Sequence, residues 1–278
     1  MPTYDLRFNV SITVNGQRLV LKLIEMLYEA VPNLILIQTN TDGITTVLDR
    51  DKLDVYYDVC REWEILSRMT LEYAEYRIMY IRDVNNYIAI NTKGKIKLKG
   101  AYEIDKELHK DNSMKIVPIA VLKYLEDKVQ IEETIKRHDN ILDFCKRHKG
   151  NRSFENQYHS IKDNKKYVDI LAKNIRYFVS IGNGSLYKSK LSGVAADKLN
   201  MSYFYKQGLV FDDDELDGMR KDTSKAAKLT GIEAGKSVTI FNKRYNVPMK
   251  EYRIDYNYYI KEAMKLVEPF IYTNNKLF

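Results

Sequence analysis

The chain has few of the features that mark secreted, disulfide-rich or membrane proteins. It carries only two cysteines, Cys60 and Cys145, in 278 residues, which is too few for a disulfide framework. No uninterrupted apolar stretch approaches the roughly 20 residues that cross a bilayer, and residues 1–15 lack the basic start and apolar block of a secretory signal. We therefore expect no membrane contact and a reducing, cytoplasmic location, which for a viral protein is the host cytoplasm.

The sequence also lacks repeats of fixed period and low-complexity runs, which excludes solenoids and long disordered tails. Positive charge and tyrosine are abundant instead. Lysine and arginine number 45 against 38 acidic residues, which leaves a net charge of +7, and there are 22 tyrosines. A basic chain can bind a polyanion, and aromatic rings with polar tips suit a wet surface that contacts nucleic acid.

The hydrophobic pattern predicts an α+β fold in two parts. Residues 11–30 have apolar side chains at helical spacing, and the chain up to Gly100 then alternates helical with strand-like runs. Helical patterns dominate beyond Glu103, with connectors rich in asparagine and lysine between them. We therefore expect antiparallel strands with packed helices over residues 1–103 and a mainly α-helical domain over residues 104–278.

One apparent phosphate-binding loop is rejected. Residues 231–237 read Gly-Ile-Glu-Ala-Gly-Lys-Ser, one residue short of the spacing that such a loop requires. The residues that follow, 238–241, read as a strand, whereas a phosphate-binding loop opens a helix. Nucleotide binding is therefore not assigned to this segment.

The first candidate site is a predicted hairpin around Asp42. Two strand-like runs, 34–37 and 44–48, bracket an Asn-Thr-Asp-Gly turn at residues 40–43, and an Asp-Gly turn between such runs is a strong hairpin signal. A carboxylate held at the tip of a hairpin is rigidly placed and accessible, which suits a hard cation such as Mg²⁺. The alternative is that Asp42 and Gly43 serve only to form the turn.

The second candidate site is a lysine run in a predicted strand. Lys93, Lys95, Lys97 and Lys99 alternate with other residues, so in an extended chain all four project from one side. Four ammonium groups along a ribbon would form a track for a phosphate backbone. The alternative is that lysines on an edge strand protect it from pairing with other sheets.

The order of segments resembles the C-terminal palm and thumb part of a family B DNA polymerase of the bacteriophage type. Residues 37–43, Ile-Gln-Thr-Asn-Thr-Asp-Gly, are similar to motif C, usually written Asp-Thr-Asp-Ser. The segment 85–87, Asn-Asn-Tyr, followed by 97–100, Lys-Leu-Lys-Gly, is similar to the motif that contacts the primer strand where palm meets thumb. Residues 4–7, 11–13, 16–17, 115–117 and 258–260 resemble further palm and thumb segments in the same order.

This resemblance implies template-directed DNA synthesis by two-metal-ion phosphoryl transfer, in which the primer 3′-hydroxyl attacks the α-phosphate of an incoming deoxynucleoside triphosphate. It implies that Asp42 is catalytic and binds two Mg²⁺ ions, with Asn40, Thr41 and Gly43 as motif C neighbours. The residues that it assigns to primer-template DNA are Asn85, Tyr87, Lys93, Lys95, Lys97 and Lys99.

The sequence departs from the family pattern at three of these positions. Asn40 replaces the first carboxylate of motif C, Gly43 replaces its serine, and Asn85 stands where the family usually has lysine. The family's motif A aspartate, fingers and exonuclease precede the matched segment, so Asp42 by itself leaves the metal site incomplete. The resemblance thus implies a second polypeptide with the N-terminal polymerase half, which shares the Mg²⁺ ions. The alternatives are a non-catalytic DNA-binding polymerase remnant and a structural viral subunit.

Overall fold

The computed structural model describes residues 6–105, 112–151, 153–162, 164–182, 184–190, 229–241 and 247–273. The chain forms two compact units, residues 1–100 and 101–278, and each is described by itself. The division lies close to residue 103, where the sequence pattern changes.

The first unit is built from two helices, a hairpin and a small sheet. Its elements are α1 (Leu6–Ala30), β1 (Ile35–Thr39), β2 (Ile44–Val47), α2 (Leu53–Ser67), β3 (Tyr76–Asp83), β4 (Asn86–Asn91) and β5 (Ile96–Leu98). Strands β1 and β2 pair with each other, and β3, β4 and β5 form an antiparallel sheet in that order.

The two helices carry the core of this unit and support the β1–β2 hairpin. Side chains at helical spacing on α1 meet a matching face of α2, and each fully buried side chain of this kind contributes about 1.5–3 kcal/mol. The indole Nε1 of Trp63 donates a hydrogen bond of 2.8 Å to the carbonyl oxygen of Leu19, which ties α2 to α1. Ile44 at the start of β2 packs against the same core. The residues of this core are Leu23, Leu27, Val31, Leu34, Val59, Cys60 and Trp63.

In its described residues, the second unit combines helices with two antiparallel sheets. Its elements are α3 (Ile116–Asp127), α4 (Ile131–Arg137), α5 (Ile141–Phe144), β6 (Lys146–Lys149), β7 (Phe154–Lys162), β8 (Lys165–Leu171), β9 (Asn174–Val179), β10 (Gly184–Lys190), β11 (Leu229–Gly231), β12 (Val238–Ile240) and α6 (Tyr256–Thr273). One sheet has the strand order β11-β10-β7-β8 and the other β12-β9-β6. Strand β12 follows residues 231–237, where a phosphate-binding loop would require a helix.

Helix α6 is joined to the second sheet through a buried tyrosine. The hydroxyl of Tyr259 donates a hydrogen bond of 2.8 Å to the carbonyl oxygen of Phe144. The same hydroxyl accepts one of 2.9 Å from the backbone N–H of Val179 in β9. Because Tyr259 is fully buried, burial raises the pKa of this phenol well above its ordinary value, and it stays protonated and able to donate.

The predicted α+β class is confirmed, since the molecule has both helices and antiparallel sheets. The expectation of a mainly α-helical second domain is corrected, because seven strands lie in the described part of residues 104–278. Strands β6, β7 and β8 carry polar residues on both faces, so the apolar alternation that identifies a strand in sequence is weak in them.

Candidate nucleic-acid interface

The hairpin predicted around Asp42 is present. Thr39 pairs with Ile44 across the strand ends, and the backbone N–H of Asn40 donates a hydrogen bond of 3.0 Å to the carbonyl oxygen of Gly43. Asn40, Thr41 and Asp42 are all exposed. The core beneath β2 therefore holds the hairpin, while its tip presents the Asp42 carboxylate to solvent.

The tip offers oxygen ligands of the kind that Mg²⁺ takes. Asp42 supplies a carboxylate, and Oδ1 of Asn40 lies 3.6 Å from the position that a Cβ on Gly43 would occupy, so this amide lies against the same turn. Mg²⁺ binds oxygen ligands in octahedral geometry and keeps several waters. Within the described residues no three histidine, cysteine or acidic side chains converge.

The lysine run does not form one extended strand, which corrects the expectation that four lysines project from one side. Lys93 lies in a turn between β4 and β5. Oδ1 of Asn91 accepts hydrogen bonds from the backbone N–H groups of Lys93 and Lys95, at 3.0 and 2.7 Å. Gly94 takes a positive φ of 79°, which glycine adopts without strain. Of the four lysines only Lys97 lies in a strand.

The two pieces of the predicted primer-contacting motif lie side by side in the β3–β4–β5 sheet. Ile88 pairs with Leu98, and the backbone N–H of Lys99 donates a hydrogen bond of 3.0 Å to the carbonyl oxygen of Tyr87. Strand pairing therefore brings Tyr87, Lys97 and Lys99 to one place, although they are separated in sequence.

Gly100 allows the closest approach between these two pieces. It has a φ of +63°, and a Cβ at this position would lie 2.3 Å from the carbonyl oxygen of Asn85 and 2.3 Å from Oδ1 of Asn86. Real Cβ atoms do not approach oxygen so closely. Only glycine therefore fits here, and its fit brings the exposed Asn85 beside the end of β5.

Asn85 is itself fixed by the turn that connects β3 with β4. Its backbone N–H donates a hydrogen bond of 3.0 Å to Oδ1 of Asp83, and the side-chain amide of Asn86 donates to the same carboxylate at 2.8 Å. The Asn86 hydrogen bond lowers the pKa of the Asp83 carboxyl below its ordinary value. The ionised Asp83 side chain therefore stabilises the turn through these hydrogen bonds.

Lys97 lies between two tyrosines on one face of the sheet. It pairs with Ala89, whose small side chain leaves room above the strand. Along β4, Tyr87 lies two residues before Ala89 and Asn91 lies two residues after it. Asn91 in turn pairs with Tyr76 of β3. Partial burial lowers the pKa of the Lys97 ammonium, but the hydroxyls of Tyr76 and Tyr87, which hydrogen bond with it, outweigh this effect and hold the pKa above its ordinary value. The ammonium is therefore charged and held in place.

Tyr87 is only 6% exposed, so its ring lines this site and offers little surface on which a base could stack. Tyr76 was not predicted from the sequence, and only strand pairing brings it near Lys97. In the part of the chain that the structure describes, neither Lys97 nor Lys99 forms an ion pair with a carboxylate. Both cations therefore remain available to an external anion.

None of the helices in the described ranges has both the length and the apolar character that a bilayer crossing requires. Comparison of the chain with family models, with curated proteins and with solved structures found no match.

Proposed function

We propose that this chain is the C-terminal palm and thumb part of a DNA-directed DNA polymerase of family B type, which adds deoxynucleotides to a primer 3′ end. The observation that carries the proposal is the pairing of β4 with β5. It brings the two separated pieces of the motif that resembles the primer-contacting segment into contact, with Gly100 against Asn85 and Lys99 against Tyr87.

In this proposal the β3–β4–β5 sheet binds the backbone of primer-template DNA. Lys97 and Lys99 are exposed, lie next to each other on one edge and have no acidic partner among the described residues. Lysine contacts to phosphate supply affinity without reading sequence. Sequence-independent contacts of this kind suit an enzyme that must bind every primer equally well.

The chemistry of the proposed reaction depends on Asp42 at the hairpin tip. Bound Mg²⁺ ions would stabilise the charge that develops as the nucleotidyl group is transferred and pyrophosphate leaves. Asp42 would bind these ions with one carboxylate, and Asn40 brings a neutral amide where the resembling motif has a second acid. One carboxylate does not hold two such ions, so we propose that a second polypeptide contributes motif A, fingers and the remaining acids. The assembly would act in the cytoplasm.

Two measurements test this proposal. The purified chain should bind duplex DNA with an affinity that falls steeply with salt, and it should not extend a primer with Mg²⁺ and all four deoxynucleoside triphosphates. Lys97→Ala with Lys99→Ala should lower affinity for all DNA sequences and reduce the salt slope by about one unit for each lost phosphate contact. Lys22→Ala with Arg50→Ala removes the same charge from exposed positions elsewhere in the first unit and is the matched control.

The outcomes separate the candidate functions. DNA binding that depends on Lys97 and Lys99, with extension restored when the second polypeptide is added, supports the polymerase. The same binding with no extension in any reconstituted complex favours a non-catalytic DNA-binding module. Equal losses in the Lys97/Lys99 variant and in the control variant would mean that net charge alone matters and that the motif has no role. Absence of DNA binding would rule out both functions.

A further inference from the structure

The β7–β8 hairpin in the second unit projects beyond its neighbouring strand. The pairing of β7 with β8 continues to Lys162 and Lys165, whereas the pairing of β7 with β10 stops at Ser160. Strand β8 is at the edge of the sheet. The last residues of the hairpin thus form a two-stranded ribbon that extends past β10.

This ribbon is strongly basic. Lys162, Lys165 and Lys166 are all exposed, and within the described residues none of them forms an ion pair. From residue 161 to residue 167 the sequence contains a single acid, Asp163, which lies outside the described residues. The three ammonium groups therefore concentrate positive charge at one end of the sheet.

Apolar side chains accompany these lysines. Ile161 is 47% exposed and Tyr167 is 45% exposed, and they pair with Lys166 and Ser160 respectively. Large exposed apolar residues interleaved with cations are typical of surfaces that bind nucleic acid, because rings and methyl groups pack on sugars and bases while ammonium groups neutralise phosphates.

We propose that these residues, Ile161, Lys162, Lys165, Lys166 and Tyr167, here called the basic tip, form a second contact surface for duplex DNA. A two-stranded β ribbon fits the width of the major groove, and lysines along it are placed to reach the flanking phosphates. The basic tip belongs to the second unit and shares no residue with the Lys97 surface. The proposal rests on the proposed function only for the choice of DNA as the polyanion.

The competing explanation is that Lys165 and Lys166 protect the edge strand β8 from pairing with another molecule. That explanation predicts self-association when the lysines are removed and no change in DNA affinity. The DNA-contact proposal predicts the opposite pattern, so the two are separable by experiment.

The test is a triple variant, Lys162→Gln, Lys165→Gln and Lys166→Gln, compared with the full-length parent. The matched control is Lys123→Gln, Lys250→Gln and Lys261→Gln, which removes the same charge from exposed positions elsewhere in the unit. Affinity for a duplex of about 20 base pairs would be measured by fluorescence anisotropy between about 50 and 300 mM salt. Replacement of the three tip lysines by arginine keeps the charge and tests recovery of binding.

We expect the basic-tip variant to bind about 10- to 100-fold more weakly at low salt and to show a salt slope shallower by about two to three units. The control should bind nearly as the parent does, and the arginine variant should keep its affinity. Equal losses in the tip and control variants would overturn the proposal, as would an unchanged affinity accompanied by self-association. If the Lys97 and Lys99 variant loses affinity and the tip variant does not, the tip proposal fails and the proposed function stands. If the parent does not bind DNA, both fail.

Discussion

The backbone N–H of Lys99 lies 3.0 Å from the carbonyl oxygen of Tyr87 and donates a hydrogen bond to it. This bond continues the β4–β5 ladder to the point where Gly100 meets Asn85. Two segments that are separated in sequence thus form one surface, which has the buried Tyr87 at its base and the exposed Lys97 and Lys99 on its edge. The following predictions test whether this arrangement and the Asp42 hairpin act as proposed.

The first prediction concerns the close approach at Gly100. Gly100→Ala places a methyl group 2.3 Å from the carbonyl oxygen of Asn85 and forces alanine into a positive φ of 63°. We expect a loss of about 2–4 kcal/mol in the free energy of unfolding, from backbone strain and steric overlap together. Urea unfolding measures it, and DNA affinity should fall as β5 moves away from β4.

A second glycine in the same sheet provides the control. Gly94 has a positive φ of 79°, but nothing lies within 4 Å of the position that its Cβ would occupy. Gly94→Ala should therefore show only the strain, about 1 kcal/mol, and leave DNA affinity unchanged. Equal destabilisation in the two variants would mean that steric overlap with Asn85 adds nothing to the cost of alanine at position 100.

The second prediction concerns the tyrosines beside Lys97. Tyr76→Phe and Tyr87→Phe each remove a hydroxyl that raises the pKa of the Lys97 ammonium, so this pKa should fall in each variant and fall further in the double variant. Ionic contacts made by Lys97 are present below this pKa and are lost as pH rises through it, so the pH at which they are lost should move down. NMR titration of labelled lysine follows the pKa, and DNA affinity should drop about two- to fivefold.

The matched control for this pair is Tyr80→Phe. Tyr80 belongs to the same strand but pairs with Ile88, and its side chain therefore lies on the opposite face of the sheet from Lys97. It should leave the Lys97 pKa unchanged. A shift of the same size in Tyr80→Phe would show that loss of any tyrosine in β3 perturbs the sheet.

The third prediction concerns the hairpin tip. In a complex reconstituted with the second polypeptide, Asp42→Ala should reduce single-turnover primer extension on the order of a thousandfold or more, because the metal ions lose a carboxylate where charge develops. DNA binding should remain close to normal. Asn40→Asp, which adds an acid to the same turn, should be tolerated.

Asp49→Ala provides the comparison for Asp42, since Asp49 is also exposed and follows the same hairpin. Its removal should not affect extension. If Asp42→Ala extends primers as fast as the parent, Asp42 serves only to form its turn and the chemistry is located elsewhere.

Local features could be predicted from the sequence because their physical causes are local. The periodicity of α1 and α2 reflects the spacing of side chains on a helix, and the Asn-Thr-Asp-Gly segment forms its turn through its own backbone chemistry. The turn at Gly94 has an equally local cause, the amide of Asn91, but the alternation of lysines around it suggested a continuous strand.

The sequence by itself determined the α+β character of the chain, the helices of the first unit, the Asp42 hairpin and the basic net charge. Only the tertiary structure decided that Tyr76 and Tyr87 flank Lys97, that Gly100 packs on Asn85 and that polar segments of the second unit are strands. These facts depend on strand register, which pairs residues far apart in the chain. Register is selected by the burial and hydrogen bonding of whole sheets, and no short run of residues encodes it.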